Sequence, residues 1–190
     1  MVRAFLLAVL LLGVGLLGSP TSHAAVPRLG DDGLYHIDWF VHGFLNLRED
    51  LTDAHKAGKR LAVVWEQRGC EYCKHMSLVT LQEPKIRKFL RAHFAMVELN
   101  LHGDRPVTDF NGKVMSEHAL ASHYGIHLTP TIQFIKAEPK QVLGRTGDAV
   151  EQARMPGLLP DGDFLAMFQW VYATPKGNED FSTWAMKHGD

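Results

Sequence analysis

The chain has 190 residues, is 46% apolar and 22% charged, and carries a formal net charge of −1 with only two cysteines. This composition excludes disordered and collagen-like chains, and twenty basic against twenty-one acidic residues remove the electrostatic case for nucleic-acid binding. Two cysteines can neither staple a disulfide-rich scaffold nor complete an all-thiolate zinc site.

The chain opens with Met1-Val2-Arg3 and an almost uninterrupted apolar run, Ala4–Leu17. A break at Gly18-Ser19-Pro20 follows, then small residues at Ser22 and Ala24. The pattern is that of an export signal, residues 1–24, cleaved after Ala24. Fourteen helical residues reach about 21 Å, short of the roughly 30 Å hydrocarbon core, which disfavours a retained anchor. The expectation is an exported, periplasmic protein without stable membrane insertion, working where disulfides persist. Residues 25–44 read as a leader, flexible over Val26–Asp32, with a domain at 45–172 and a C-terminal extension at 173–190.

Apolar positions Leu45, Leu47, Leu51 and Ala54 alternate with charges and predict an amphipathic helix ended by Gly58. Arg60–Glu66 is a short apolar run suited to a buried strand. After Gly69 comes Cys70-Glu71-Tyr72-Cys73, then a helical stretch Lys74–His93 with a break at Glu83-Pro84. Phe94–Leu101 predicts a second strand, and Asn111-Gly112 a turn or short hairpin. A short helix Glu117–Tyr124 closes at Gly125. Thr131–Ile135 follows Thr129-Pro130 as a third strand, Gln141–Thr146 is expected as a fourth, and 147–160 as irregular. Asp161–Tyr172 places Phe164, Leu165, Met167, Phe168 and Val171 on one helical face, and a last short helix is expected over Asp180–Lys187. Met76, Trp65, Phe134 and Trp170 read as core. The order implies α/β architecture, a mixed sheet of about four strands with helices on both faces.

Cys70-x-x-Cys73 sits where a buried strand ends and a helix begins. Unpaired N–H groups and the macrodipole at a helix start favour an anion and lower the pKa of the first thiol. The spacing lets Cys73 resolve a mixed disulfide formed by Cys70, making Cys70 the candidate nucleophile. Zinc would need two more ligands, and only His75 lies close by; covalent haem needs histidine where Lys74 stands. A purely structural disulfide over so short a loop would constrain the unfolded chain little. Of the remaining histidines, only His102 is expected to join His75 near the site.

These features resemble the thioredoxin superfamily, in Leu61–Glu66, Cys70-Glu71-Tyr72-Cys73-Lys74, Val97–Leu101 and Thr129-Pro130-Thr131. Val64–Cys70, Leu99-Asn100-Leu101 and Ala153–Gly157 look more narrowly like the periplasmic thioredoxin-like proteins of the sulfur-oxidation (Sox) system, the SoxW/SoxS type. The resemblance implies a thioredoxin fold, a Cys70/Cys73 redox pair, and Pro130 as a cis-proline lining a substrate groove with Thr129. It also implies no bound cofactor, a periplasmic protein-disulfide substrate, and electrons delivered by a membrane thiol-transfer protein. The chain departs from ordinary thioredoxins in having Gly69 where tryptophan precedes the first cysteine, Glu71-Tyr72 in place of Gly-Pro, and Val64 at the usual buried acid. Glu66, on the same strand face, is a candidate proton acceptor for Cys73 or else a solvated strand-end charge. Glu71 should oppose a Cys70 thiolate and Lys74 favour it. Two other readings stay open: a disulfide oxidase or isomerase, and a non-catalytic metal-binding or chaperone module built on Cys70, Cys73 and His75.

Overall fold

The computed structural model describes residues 26–174 and 179–188; the predicted signal segment 1–24 lies outside them. The segment expected as a flexible leader forms a small antiparallel ribbon, β1 (Arg28–Leu29) with β2 (Tyr35–His36). It turns through Gly30 and Gly33, and Leu34, Ile37 and Phe40 behind it are buried. Helix α1 (Leu47–Lys56) is capped by the Asn46 side chain and buries Leu47, Leu51 and Ala54, as its periodicity requires.

Strand β3 (Arg60–Glu66) is buried along its whole length, which explains its continuous apolar run. Helix α2 (Glu71–Leu78), a 3-10 turn (Thr80–Gln82) and α3 (Pro84–His93) follow. The break expected at Glu83-Pro84 is a helix start: Pro84 takes the first-turn position, and Glu83 Oε2 accepts the Ile86 N–H at 2.8 Å. After β4 (Phe94–Asn100), β5 (Pro106–Thr108) and β6 (Val114–Ser116) form the hairpin around Asn111-Gly112. Then come α4 (Glu117–His123), β7 (Thr131–Ile135), α5 (Pro139–Val142), β8 (Glu151–Pro156), α6 (Asp161–Ala173) and α7 (Phe181–His188).

The main sheet has four strands in the order β4-β3-β7-β8. The β3–β4 pair is parallel; β3–β7 and β7–β8 are antiparallel. One face carries Ala62, Val64, Met96, Ile132 and Phe134 against α2, α3 and α6. The other carries Leu61, Val63, Trp65 and Val97 against α1 and α4. This is the α/β fold with helices on both faces.

The fourth strand is displaced from its expected place. Within Gln141–Thr146 the chain instead ends a short helix begun by Pro139, and the strand lies at Glu151–Pro156, inside the stretch expected to be irregular. An edge strand needs no apolar run, and this one is polar. Gln152 Nε2 donates to Thr174 O at 2.7 Å, and Arg154 Nη2 to Tyr124 O at 2.9 Å. Pro156 stands at its end, where a proline is tolerated. On α6 the buried stripe includes Trp170, while Leu165 is only half-buried.

Candidate functional site

The site begins where β3 runs out of sheet. Beyond Glu66 the chain turns through Gly69, whose φ of +74° lies in the left-handed region that glycine adopts without a Cβ penalty. The turn delivers Cys70 to the N-cap of α2 in extended conformation, where its sulfur accepts the Cys73 N–H at 3.1 Å. Cys70 and Cys73 are disulfide-bonded, with Cα atoms 5.2 Å apart. Cys70 is half-buried, whereas Cys73 is 2% exposed. An outside sulfur can therefore approach Cys70 and not Cys73. The helix start and the donated N–H stabilise negative charge on Cys70 when the bond opens. Glu71 and Lys74, expected to act on it in opposite senses, face each other at 3.8 Å on the surface, where water weakens both.

The loop before β7 brings up the second part. The Thr129–Pro130 peptide is cis, and Thr129 O lies 3.5 Å from Cys70 Sγ. Pro130 is buried, and its carbonyl accepts the Gly157 N–H at 2.8 Å, tying the loop to the end of β8. Thr131 Oγ1 donates to Leu128 O at 2.8 Å, bracing the same loop.

Glu66 is 1% exposed, so its reading as a solvated strand-end charge is corrected: the leader ribbon covers this end of β3. Glu66 lines a cavity of about 200 Å³ together with Cys70 and Cys73, which Leu29, Gly33 and Tyr35 of the ribbon segment close. A Cβ added at Gly33 would meet Arg68 Cγ at 2.7 Å, a measure of how closely the ribbon approaches the active loop. Ser77 Oγ donates to Glu66 Oε1 at 3.4 Å. Burial, and next the charge of Glu98, hold the Glu66 carboxyl well above the ordinary range. The protonated form of Glu66 is thereby favoured next to the cysteine pair.

Beside the disulfide, an open groove of about 580 Å³ runs between α2 and the start of α6, with Tyr72, His75, Val79, Leu158 and Pro160 among its walls. Tyr72 is 69% exposed. His75 faces this groove and His102 is exposed away from both cavities. Among the described residues no group of three or more His, Cys, Asp or Glu side chains is placed to hold a metal.

Structure thus brings Cys70, Cys73, Glu66, Thr129 and Pro130 to one end of the sheet. Two polar residues behind it escaped sequence reasoning, Glu98 on β4 and His36 on β2, joined at 2.6 Å. No local signal announces them, because they stand 62 positions apart.

The chain is similar to a thioredoxin from Thermus thermophilus, at 21% identity and a TM-score of 0.51 over 74% of this chain and 91% of that one. It is also similar to a thioredoxin-fold protein from Helicobacter pylori, at 22% identity and a TM-score of 0.50 over 74% and 88%. No curated protein sequence matches it. The thioredoxin-like domain family matches residues 47–171, which hold the cysteine pair, Glu66 and the cis-proline loop and make up more than half of the chain. The protein belongs to the thioredoxin-like domain family.

Proposed function

We propose that this protein is an exported thiol–disulfide oxidoreductase that reduces disulfides or sulfur adducts on periplasmic partner proteins. The observation that carries the reading is the asymmetry of the disulfide: an approachable Cys70 at a helix N-terminus, with a buried Cys73 one turn behind it.

In the reduced protein the Cys70 thiolate attacks a partner disulfide; the partner's S–S bond breaks, and one partner sulfur leaves and takes a proton. Cys73 then gives its proton to Glu66 and attacks Cys70 Sγ. The mixed disulfide breaks, the second partner sulfur leaves as a thiolate that takes a proton from water, and two electrons have moved to the partner. Thr129 and Pro130, beside Cys70, line the site where the partner chain lies, and the neighbouring groove offers apolar walls for the polypeptide around its disulfide.

With only two cysteines in the sequence, an outside thiol must reset the cycle, and a membrane thiol-transfer protein is the proposed donor. Export is supported by the signal-like segment 1–24. Among the described residues, no helix is long and apolar enough to cross a membrane. The resemblance of Val64–Cys70, Leu99–Leu101 and Ala153–Gly157 to the Sox-type proteins favours a partner in sulfur oxidation. The cycle uses no bound cofactor.

Turbidimetric insulin reduction with dithiothreitol tests the activity. The wild-type protein should accelerate precipitation, and Cys70→Ser should return the rate to that of dithiothreitol alone. Equal rates for the two proteins would refute the reading.

A further inference from the structure

On the sheet face that packs against α2, two carboxyl groups are buried as neighbours. The register pairs Val64 with Glu98 and Glu66 with Asn100, so Glu66 and Glu98 stand diagonally on one face. They are 1% and 9% exposed. Their partners differ. Glu66 accepts one long hydrogen bond, from Ser77. Glu98 Oε2 lies 2.6 Å from His36 Nδ1, and His36 Nε2 lies 3.1 Å from Asp32 Oδ1. Both ring nitrogens face carboxylate oxygens, and only the doubly protonated imidazole offers a proton to each.

We propose that His36 and Glu98, backed by Asp32, form a positioning device for the redox step: they hold the buried negative charge on Glu98 and so keep Glu66 protonated opposite Cys73 in the oxidised protein, ready to give up that proton when the disulfide opens. The proposal rests on the reading of Glu66 as the proton partner of Cys73. It adds the ribbon, which precedes the family's matched residues, to the working parts of the site.

Two carboxylates set diagonally on one buried sheet face do not both ionise readily, and a proton settles on the one whose charge is less well compensated. That place is Glu66. Burial raises both groups, but the hydrogen bond and charge of His36 draw Glu98 back down, while the Glu98 charge pushes Glu66 further up. The other charged groups facing the pair do not reverse this order. Asp32 raises both, and Arg105 lowers Glu98 while bound to Glu117 at 2.6 and 3.0 Å. On the Glu66 side, Arg68, Glu71, Lys74 and Tyr35 line the cavity that Glu66 shares with the cysteine pair, and none of them is hydrogen-bonded to Glu66 among the described residues.

The consequence falls mainly on the reset. An outside thiolate bonds to Cys70 Sγ, the Cys70–Cys73 bond breaks with its electron pair on Cys73, and Glu66 supplies the proton. A deprotonated Glu66 would leave a buried thiolate beside a carboxylate. In the forward direction the same proton passes from Cys73 to Glu66.

The test measures the rate at which dithiothreitol reduces the oxidised full chain from pH 5 to 10, together with carbon-13 NMR titration of the glutamate carboxyl groups. Glu66→Gln should remove one limb of the rate profile and slow the reset at pH 7 by about 100-fold, within the range of general acid catalysis. Glu98→Gln should move both that limb and the Glu66 titration to lower pH. His36→Gln should move the Glu98 titration to higher pH, and adding it to Glu98→Gln should leave Glu66 where the single variant put it. If Glu66→Gln removes the limb but Glu98→Gln leaves it in place, the proposal is overturned and the role of Glu66 survives. If Glu66→Gln leaves the limb intact, both fall. Should Glu98→Gln fail to fold, an unmoved Glu98 titration in His36→Gln overturns the proposal by itself.

Discussion

The Cys70 sulfur accepts the backbone N–H of Cys73 at 3.1 Å, so the residue that caps α2 is also the one an incoming sulfur can reach. A capping side chain is worth about 1 kcal/mol to its helix, and a thiolate accepts that bond better than a thiol. Local structure and reactivity thus favour the same charged form. Burial of Cys73 separates the two roles.

That separation predicts an outcome for trapping. Cys73→Ser, reduced and mixed with periplasmic extract, should accumulate covalent adducts that dithiothreitol releases. Cys70→Ser, retaining only the buried sulfur, should accumulate far fewer. Non-reducing gels followed by mass spectrometry read the result, and equal adduct levels in the two variants would contradict the assignment of nucleophile and resolver.

Glu66 makes a prediction about stability as well as chemistry. Its folded-state pKa is raised, first by burial and then by Glu98. Below the ordinary carboxylate range both folded and unfolded chains carry the proton, and the group costs nothing. As pH rises from there toward the raised native value, the unfolded chain ionises first and native stability falls. Glu66→Gln should therefore match wild type near pH 4 and melt higher at pH 8. Each 1 kcal/mol of difference reads as about 2–4 °C in a chain of this size. Equal melting curves at pH 8 would mean that Glu66 bears no burial cost.

What the sequence made legible follows from how local each signal is. Strand β3, the cysteine pair and the start of α2 are contiguous, and the apolar run, Gly69 and the i to i+3 spacing announce them without tertiary help. Thr129-Pro130 could be singled out because a proline before a β-branched strand is conspicuous. Strand β8 was misplaced because an edge strand stabilised by Gln152 and Arg154 carries no apolar period. The ribbon was missed because two-residue strands have no period at all. With it went the burial of Glu66 and the Glu98–His36 contact, both of which exist only once the ribbon folds over the ends of β3 and β4.

Arg60 offers a control far from the chemistry, at the opposite end of β3. It is 7% exposed and donates to Val171 O at 2.8 Å, to Ile135 O at 3.3 Å and to the Gln152 side chain. Burial pulls its pKa down to about 10, with Glu138 and Tyr172 acting the other way, so it stays charged at neutral pH. Arg60→Ala would take the guanidinium donor from Ile135 O and leave Val171 O only the longer contact from Gln152 Nε2 at 3.4 Å. It should cost about 3 kcal/mol in urea denaturation while leaving the insulin-reduction rate of the folded protein unchanged. A loss below about 1 kcal/mol would show that water satisfies these carbonyls equally well.

Asp50, in the first turn of α1, gives the last prediction. Its carboxyl is half-buried, and Oδ2 has no hydrogen-bond partner among the described residues. Burial, then Glu49, then Asp53 push its pKa up to about 6 from 3.8. Between those values the folded chain holds a proton that the unfolded chain has lost, so stability declines as pH rises from about 4 to 6 and then levels off. The helix start favours a negative charge by a few tenths of a kcal/mol, too little to reverse the sign. Asp50→Asn should therefore leave stability unchanged at pH 4 and raise it by about 1 kcal/mol above pH 6, after discounting for solvent screening of the exposed part. Melting curves at pH 4, 5, 6 and 7 would trace the onset; a gain as large at pH 4 as at pH 7 would place its origin in packing, not in the charge.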